Sequence, residues 1–135
     1  MTKIEILYEG ELHCRAVHGP TGAALMTDAP PDNQGKGESF SPTDLVGTAM
    51  GTCMLTIMGI YARRKGIDMS GSRVEVLKEM VADPARRIGR LSATFTMPAH
   101  LTTIQRAALE NAARGCPVHH SLHPDVQVDL IFRYA

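Results

Sequence analysis

Ser41-Pro42-Thr43-Asp44 leads into residues 45–62, LVGTAMGTCMLTIMGIYA, and Arg63-Arg64-Lys65-Gly66 closes the stretch. The opening residues form a helix start. Ser41 can cap, Pro42 suits the first helical position, and Asp44 favours the positive end of the dipole. Ser41 to Asp44 also has capping-box spacing, with Asp for the usual Glu. The three cations sit where the dipole favours them, and Gly66 is a stop. The eighteen residues between carry no charge, which only just reaches the length of a membrane span. Three Gly and three Thr interrupt them, and the rest of the chain supplies no membrane flanks. A helix apolar on every side can instead form the centre of a packed core. A 135-residue monomer could hardly cover all its faces, so a second subunit is expected to help. Gly47 and Gly51 have GxxxG spacing, and Thr48, Thr52 and Thr56 add a small-residue stripe suited to close helix packing across a dimer axis.

On the N-terminal side, residues 1–10 alternate around Ile4, Ile6 and Tyr8 as a strand does. Leu12, Cys14 and Ala16 then point one way and His13, Arg15 and Val17 the other. A turn at 18–22 leads to a third strand over 23–28, and 29–38 is a loop by composition. On the C-terminal side, residues 72–81 and Arg87–Met97 read as strands around a turn at Asp83-Pro84-Ala85, with imperfect phase near Gly89. A second helix starts at Thr102-Thr103-Ile104-Gln105 and reaches Arg114, with Ile104, Ala107, Ala108 and Ala112 on one side. Gly115 stops it, Cys116-Pro117 opens a short third helix, and 126–132 is the closing strand. The order βββ-α-ββ-αα-β predicts a single α+β domain over residues 1–135 with mainly antiparallel pairing.

The composition excludes several function classes. Lys plus Arg number 14 and Asp plus Glu 14, so no charge excess draws in nucleic acid or a membrane surface. Arg63-Arg64-Lys65 and Arg86-Arg87 read as solvated ends of elements. With no Trp, three Tyr and three Phe, base-stacking platforms are poorly supplied. Three cysteines is an odd count for a secreted disulfide framework. The first residues lack the apolar run of a signal peptide, so a cytoplasmic location is expected, where disulfides are usually transient. No phosphate loop, Ser/His/Asp signature or carboxylate pair appears.

The cysteines carry the chemistry that remains. Cys53 has Ala49, Met50, Thr56 and Ile57 as helical neighbours, an apolar setting that favours the neutral thiol. It can be a small core residue or a reactive group. Cys116 stands at the N-cap of the Pro117 helix, where backbone N–H groups favour a thiolate, and His119 or His120 can add charge or shuttle a proton. It can equally be a cap residue alone. No second Cys/His pair matches Cys116, His119, His120 and His123 at a zinc spacing, so no metal is expected. Cys14 is read as a packing residue beside Leu12 and Ala16.

Ser41-Pro42-Thr43-Asp44-Leu45-Val46, Gly51-Thr52-Cys53-Met54 and Cys116-Pro117-Val118 before Leu122 together resemble the osmotically inducible protein C and organic hydroperoxide resistance (OsmC/Ohr) family. There a [N/S]-P-x-[E/D]-L opening leads into a long cysteine-bearing helix, and a C-P-[VY] segment bears a second cysteine. The resemblance covers nearly the whole chain and implies antiparallel sheets wrapping a long central helix in an intertwined homodimer. It implies a stress-response peroxidase that reduces a small-molecule organic hydroperoxide. Cys53 would be the attacking thiol and Cys116 the resolving one, with an external dithiol reductant and no bound cofactor. Hydroperoxide-resistance members activate the thiol with an Arg–Glu pair. Their Glu follows the Pro directly, where this chain has Thr43, and Asp44 comes one position later. Their Arg lies in an early strand turn, and Arg15 is the nearest counterpart. These departures place the chain nearer the OsmC-like branch. They leave a second expectation open, a non-catalytic dimer that binds a small apolar ligand.

Overall fold

The computed structural model describes residues 1–135. The chain divides into two compact units, Met1–Val46 and Gly47–Ala135. In the first, strands β1 (Ile4–Gly10), β2 (His13–His18) and β3 (Ala24–Asp28) form an antiparallel meander in that order. Gly10 pairs with His13 across a two-residue turn in which Glu11 and Leu12 both have positive φ, 53° and 61°. That is the hairpin turn whose twist matches the flanking strands, built here without glycine at its centre. The sheet leaves Ile4, Ile6, Leu7, Tyr8, Leu25 and Met26 exposed. Its polar anchor is Asp28, 5% exposed, whose carboxylate meets His13 Nδ1 at 2.6 Å. A short 3-10 turn, Pro31–Asn33, lies in the loop that follows.

Helix α1 (Pro42–Lys65) starts as its sequence dictates. Ser41 Oγ accepts the Asp44 N–H at 3.1 Å, and Asp44 Oδ2 accepts the Ser41 N–H at 2.9 Å. Gly66, at φ 65°, takes the left-handed position past its end. Although α1 is apolar all round, it buries one stripe, Gly47, Met50, Gly51, Met54, Met58 and Ala62. The glycines let it sit close on the second sheet: a Cβ on Gly47 would stand 3.4 Å from Val76, and one on Gly51 3.0 Å from Val76 and 3.3 Å from Val74. Thr48, Ala49, Thr52, Thr56 and Ile60 remain exposed.

The second sheet runs β4 (Arg73–Val81), β5 (Arg87–Met97), β6 (Gln127–Tyr134). Leu91, Ala93, Phe95 and Met97 alternate into the core from β5, and Phe95 stacks on Phe132 of β6 at 4.7 Å. Glu79 pairs with Arg90 but Met80 pairs with Ile88, so Gly89 is the extra residue of a bulge. This is the source of the broken alternation near Gly89. β5 and β6 pair in parallel, because α2 (Thr103–Arg114) and α3 (Pro117–Ser121) form the crossover between them. Thr102 caps α2 in a full capping box with Gln105. The buried side of α2 is Leu109 and Ala113, and Ile104 is 83% exposed. The expected face of Ile104, Ala107, Ala108 and Ala112 is thus corrected: burial follows Leu109, the one large apolar residue in the last two turns.

Candidate active site

Within the second unit the two long-separated cysteines meet. Cys53, in the middle of α1, is a close enough neighbour of Cys116 for the two thiols to affect each other's ionisation, and both are free. Helix α1 delivers Cys53 at the border between its buried stripe and its exposed one. The residue is half-buried, not enclosed as its apolar neighbours suggested. The rest of α1, two strands and α2 separate them and return the chain to α1 with Cys116 fully buried.

Cys116 is the N-cap of α3, and its Sγ accepts the His119 N–H at 3.4 Å. Local reasoning from that cap favours a thiolate. The structure reverses the expectation. Burial pushes the Cys116 thiol above its ordinary pKa, and the neighbouring Cys53 pushes the same way. The N–H groups of His119 and Val118 act downward and are outweighed. Cys116 is therefore held as the neutral thiol at neutral pH, while Cys53 is the sulfur nearer solvent.

Of the other candidates, Asp44 spends its carboxylate on the Ser41 N–H at the helix start. Thr43 Oγ1 lies 3.2 Å from Ser41 Oγ, inside the same cap. Arg15 lies exposed on β2, opposite Leu7 of β1 and Met26 of β3. Cys14 is half-buried on β2 opposite Tyr8 and Thr27. No group of three or more His, Cys, Asp or Glu side chains converges as a metal site. The sequence offers His119 as a source of charge or a proton shuttle. Its Nδ1 is buried and meets no hydrogen-bond partner in the protein.

Comparison with known proteins places these features in context. Residues 35–131 match the family model described as OsmC-like protein. Among solved structures, the chain is similar to a candidate osmotic stress induced and detoxification response protein of Psychrobacter arcticus 273-4. The two are 44% identical with a TM-score of 0.92, over 98% of this chain and 96% of that one. Its fold is also that of an organic hydroperoxide resistance protein OsmC of Legionella pneumophila, at 16% identity and TM-score 0.79, covering 98% and 96%. The organic hydroperoxide resistance protein OhrB of Bacillus subtilis, at 17% identity and TM-score 0.70, covers 98% of each chain. No curated protein matches the chain.

Proposed function

The chain belongs to the OsmC-like protein family, and from that premise we propose that it is a cysteine-based peroxidase that reduces organic hydroperoxides through Cys53 and Cys116. The observation that carries the reading is that Cys53 and Cys116 are neighbours, close enough for each thiol to affect the other's ionisation. Neighbouring thiols are the partners an S–S bond of about 2.05 Å requires. Their chemical asymmetry supports the order of events. Cys53 is half-exposed and Cys116 is buried and held protonated, so the peroxide meets Cys53 first.

The Cys53 thiolate attacks the terminal peroxide oxygen, the O–O bond breaks, and the organic fragment leaves as an alcohol after taking a proton. Cys53 is then a sulfenic acid. Cys116 attacks its sulfur, the S–O bond breaks, and water leaves with the thiol proton. An external dithiol reopens the disulfide by exchange. Asp44 is occupied at the helix cap, and the resemblance leaves Arg15 as the counterpart of the family's activating Arg. The apolar neighbours Met50, Met54 and Ile57 favour an alkyl-bearing substrate over hydrogen peroxide.

We further propose that the working form is a homodimer. The exposed side of α1 supports this. Thr52 and Thr56 turn their hydroxyls back onto the carbonyls of Thr48 and Thr52, each at 2.8 Å, and so present methyl groups outward. Together with Ala49 and Ile60 they make an apolar helix face of the kind a second copy covers.

Peroxide consumption tests the enzyme reading. With cumene hydroperoxide and dithiothreitol, the parent protein turns over and Cys53→Ser does not. Equal consumption by the two proteins overturns it. Thr43, where the resemblance leads one to expect Glu, favours a second reading, a dimer that binds a small apolar ligand without turnover. In that case peroxide leaves both thiols reduced while an apolar ligand still raises the melting temperature.

A further inference from the structure

Closing the disulfide requires Cys116 to lose a proton, and its position makes that loss awkward. The residue is fully buried, so no base in bulk water reaches its sulfur. The neighbouring Cys53 is the centre being attacked and cannot take the proton. A carrier must therefore connect the buried sulfur with the surface.

His119 has the placement for this. Cys116 is the N-cap of α3 and His119 is its third helical residue, the pairing in which the later side chain folds back over the cap. Its backbone N–H already touches Sγ at 3.4 Å. Its side chain has no capping duty, because the Cys116 N–H is satisfied by Ala113 O at 3.2 Å. The ring Nδ1 is buried with no protein partner, yet the residue as a whole is only half-buried. A buried polar nitrogen without a hydrogen bond is destabilising, so a stable fold has little reason to keep one. Imidazole also exchanges protons near neutral pH. The adjacent His120 is exposed, with its ring 6.2 Å away.

We infer that His119 carries the proton away from Cys116 as that sulfur attacks the oxidised sulfur of Cys53. The S–H bond of Cys116 breaks toward the imidazole, the S–S bond forms, and the group leaving Cys53 departs with its electron pair. The imidazolium then protonates that group, which is water when hydroxide leaves a sulfenic acid. The inference rests on the dithiol chemistry proposed above, but its test does not require a peroxide.

In a Cys14→Ser background, 2,2′-dithiodipyridine oxidises Cys53 to a mixed disulfide and releases one thiopyridone. Attack by Cys116 releases a second, and absorbance resolves the two phases. His119→Ala leaves the first phase unchanged. It slows the second by about 100-fold, the low end of what a placed acid or base supplies. Added imidazole restores the second phase, and His120→Ala behaves as the parent. A second phase at the parental rate in His119→Ala, equal slowing of both phases, or a loss that imidazole does not restore overturns the inference. Failure of the peroxidase reading appears separately, as a parent protein whose Cys53 ignores organic hydroperoxide but still gives both thiopyridone phases.

Discussion

Cys116 shows how burial can outweigh a favourable cap. Two backbone N–H groups approach its sulfur, yet the thiol is driven up by loss of water and by Cys53. With its pKa raised, the neutral form persists through neutral pH. Iodoacetamide at neutral pH should therefore label Cys53 before Cys116, and Cys116→Ser should leave the labelling rate of Cys53 within about twofold of the parent. Faster labelling of Cys116 contradicts the assignment of roles. The sequence made both cysteines visible as candidates and placed Cys116 at a cap. It could not weigh cap against burial, because burial and the neighbouring Cys53, 63 positions earlier, are set by the tertiary fold. Gly89 is a second residue-scale case. A Cβ there would stand 2.6 Å from Val81 Cγ1, so Gly89→Ala should cost about 1–2 kcal/mol by crowding the bulge, measured by urea unfolding.

The elements were largely legible from their punctuation. Ser41-Pro42-Thr43-Asp44, Gly66, Thr102 with Gln105, and Gly115 fixed the helix ends because caps are local chemistry. Removing the Thr102 hydroxyl in Thr102→Ala should lower stability by about 1 kcal/mol in the same unfolding measurement. The parallel pairing of β5 with β6 was not legible as such, since register depends on the partner strand and not on the strand's own alternation. The buried side of α2 was also misassigned, because small alanines surround it on more than one side. At the end of β6, the Tyr134 O–H donates to Glu110 Oε2 at 2.5 Å and Arg106 lies 4.1 Å over its ring. Burial first, then the Glu110 bond and charge, push the Tyr134 hydroxyl well above its ordinary pKa. A pKa raised on folding means the stabilisation is complete below the unfolded value, about 10, and is lost as pH rises through the folded one. The melting temperature should hold to about pH 10 and then fall. Tyr134→Phe should lower it at neutral pH and flatten the alkaline fall.

For the whole molecule, the long apolar helix is the feature with the widest consequences. It buries one stripe within the chain and leaves Ala49, Thr52, Thr56 and Ile60 outward, while the first sheet exposes Ile4, Ile6, Leu7 and Tyr8. The shortage of cover was readable from length alone. We expect equilibrium sedimentation to give twice the 14.6 kDa chain mass. Thr52→Lys places a charge on the methyl face and should shift the protein toward the monomer with its helix content unchanged. A monomeric parent would contradict the proposed assembly.

The dithiol pair is the centre of the account, and peptide mass mapping after one equivalent of cumene hydroperoxide reads it directly. The result expected is one peptide pair linked through Cys53 and Cys116, two hydrogens lighter than the separate peptides and split by dithiothreitol. Cys53 driven on to sulfinic acid, or left reduced, with Cys116 still a free thiol would contradict the account.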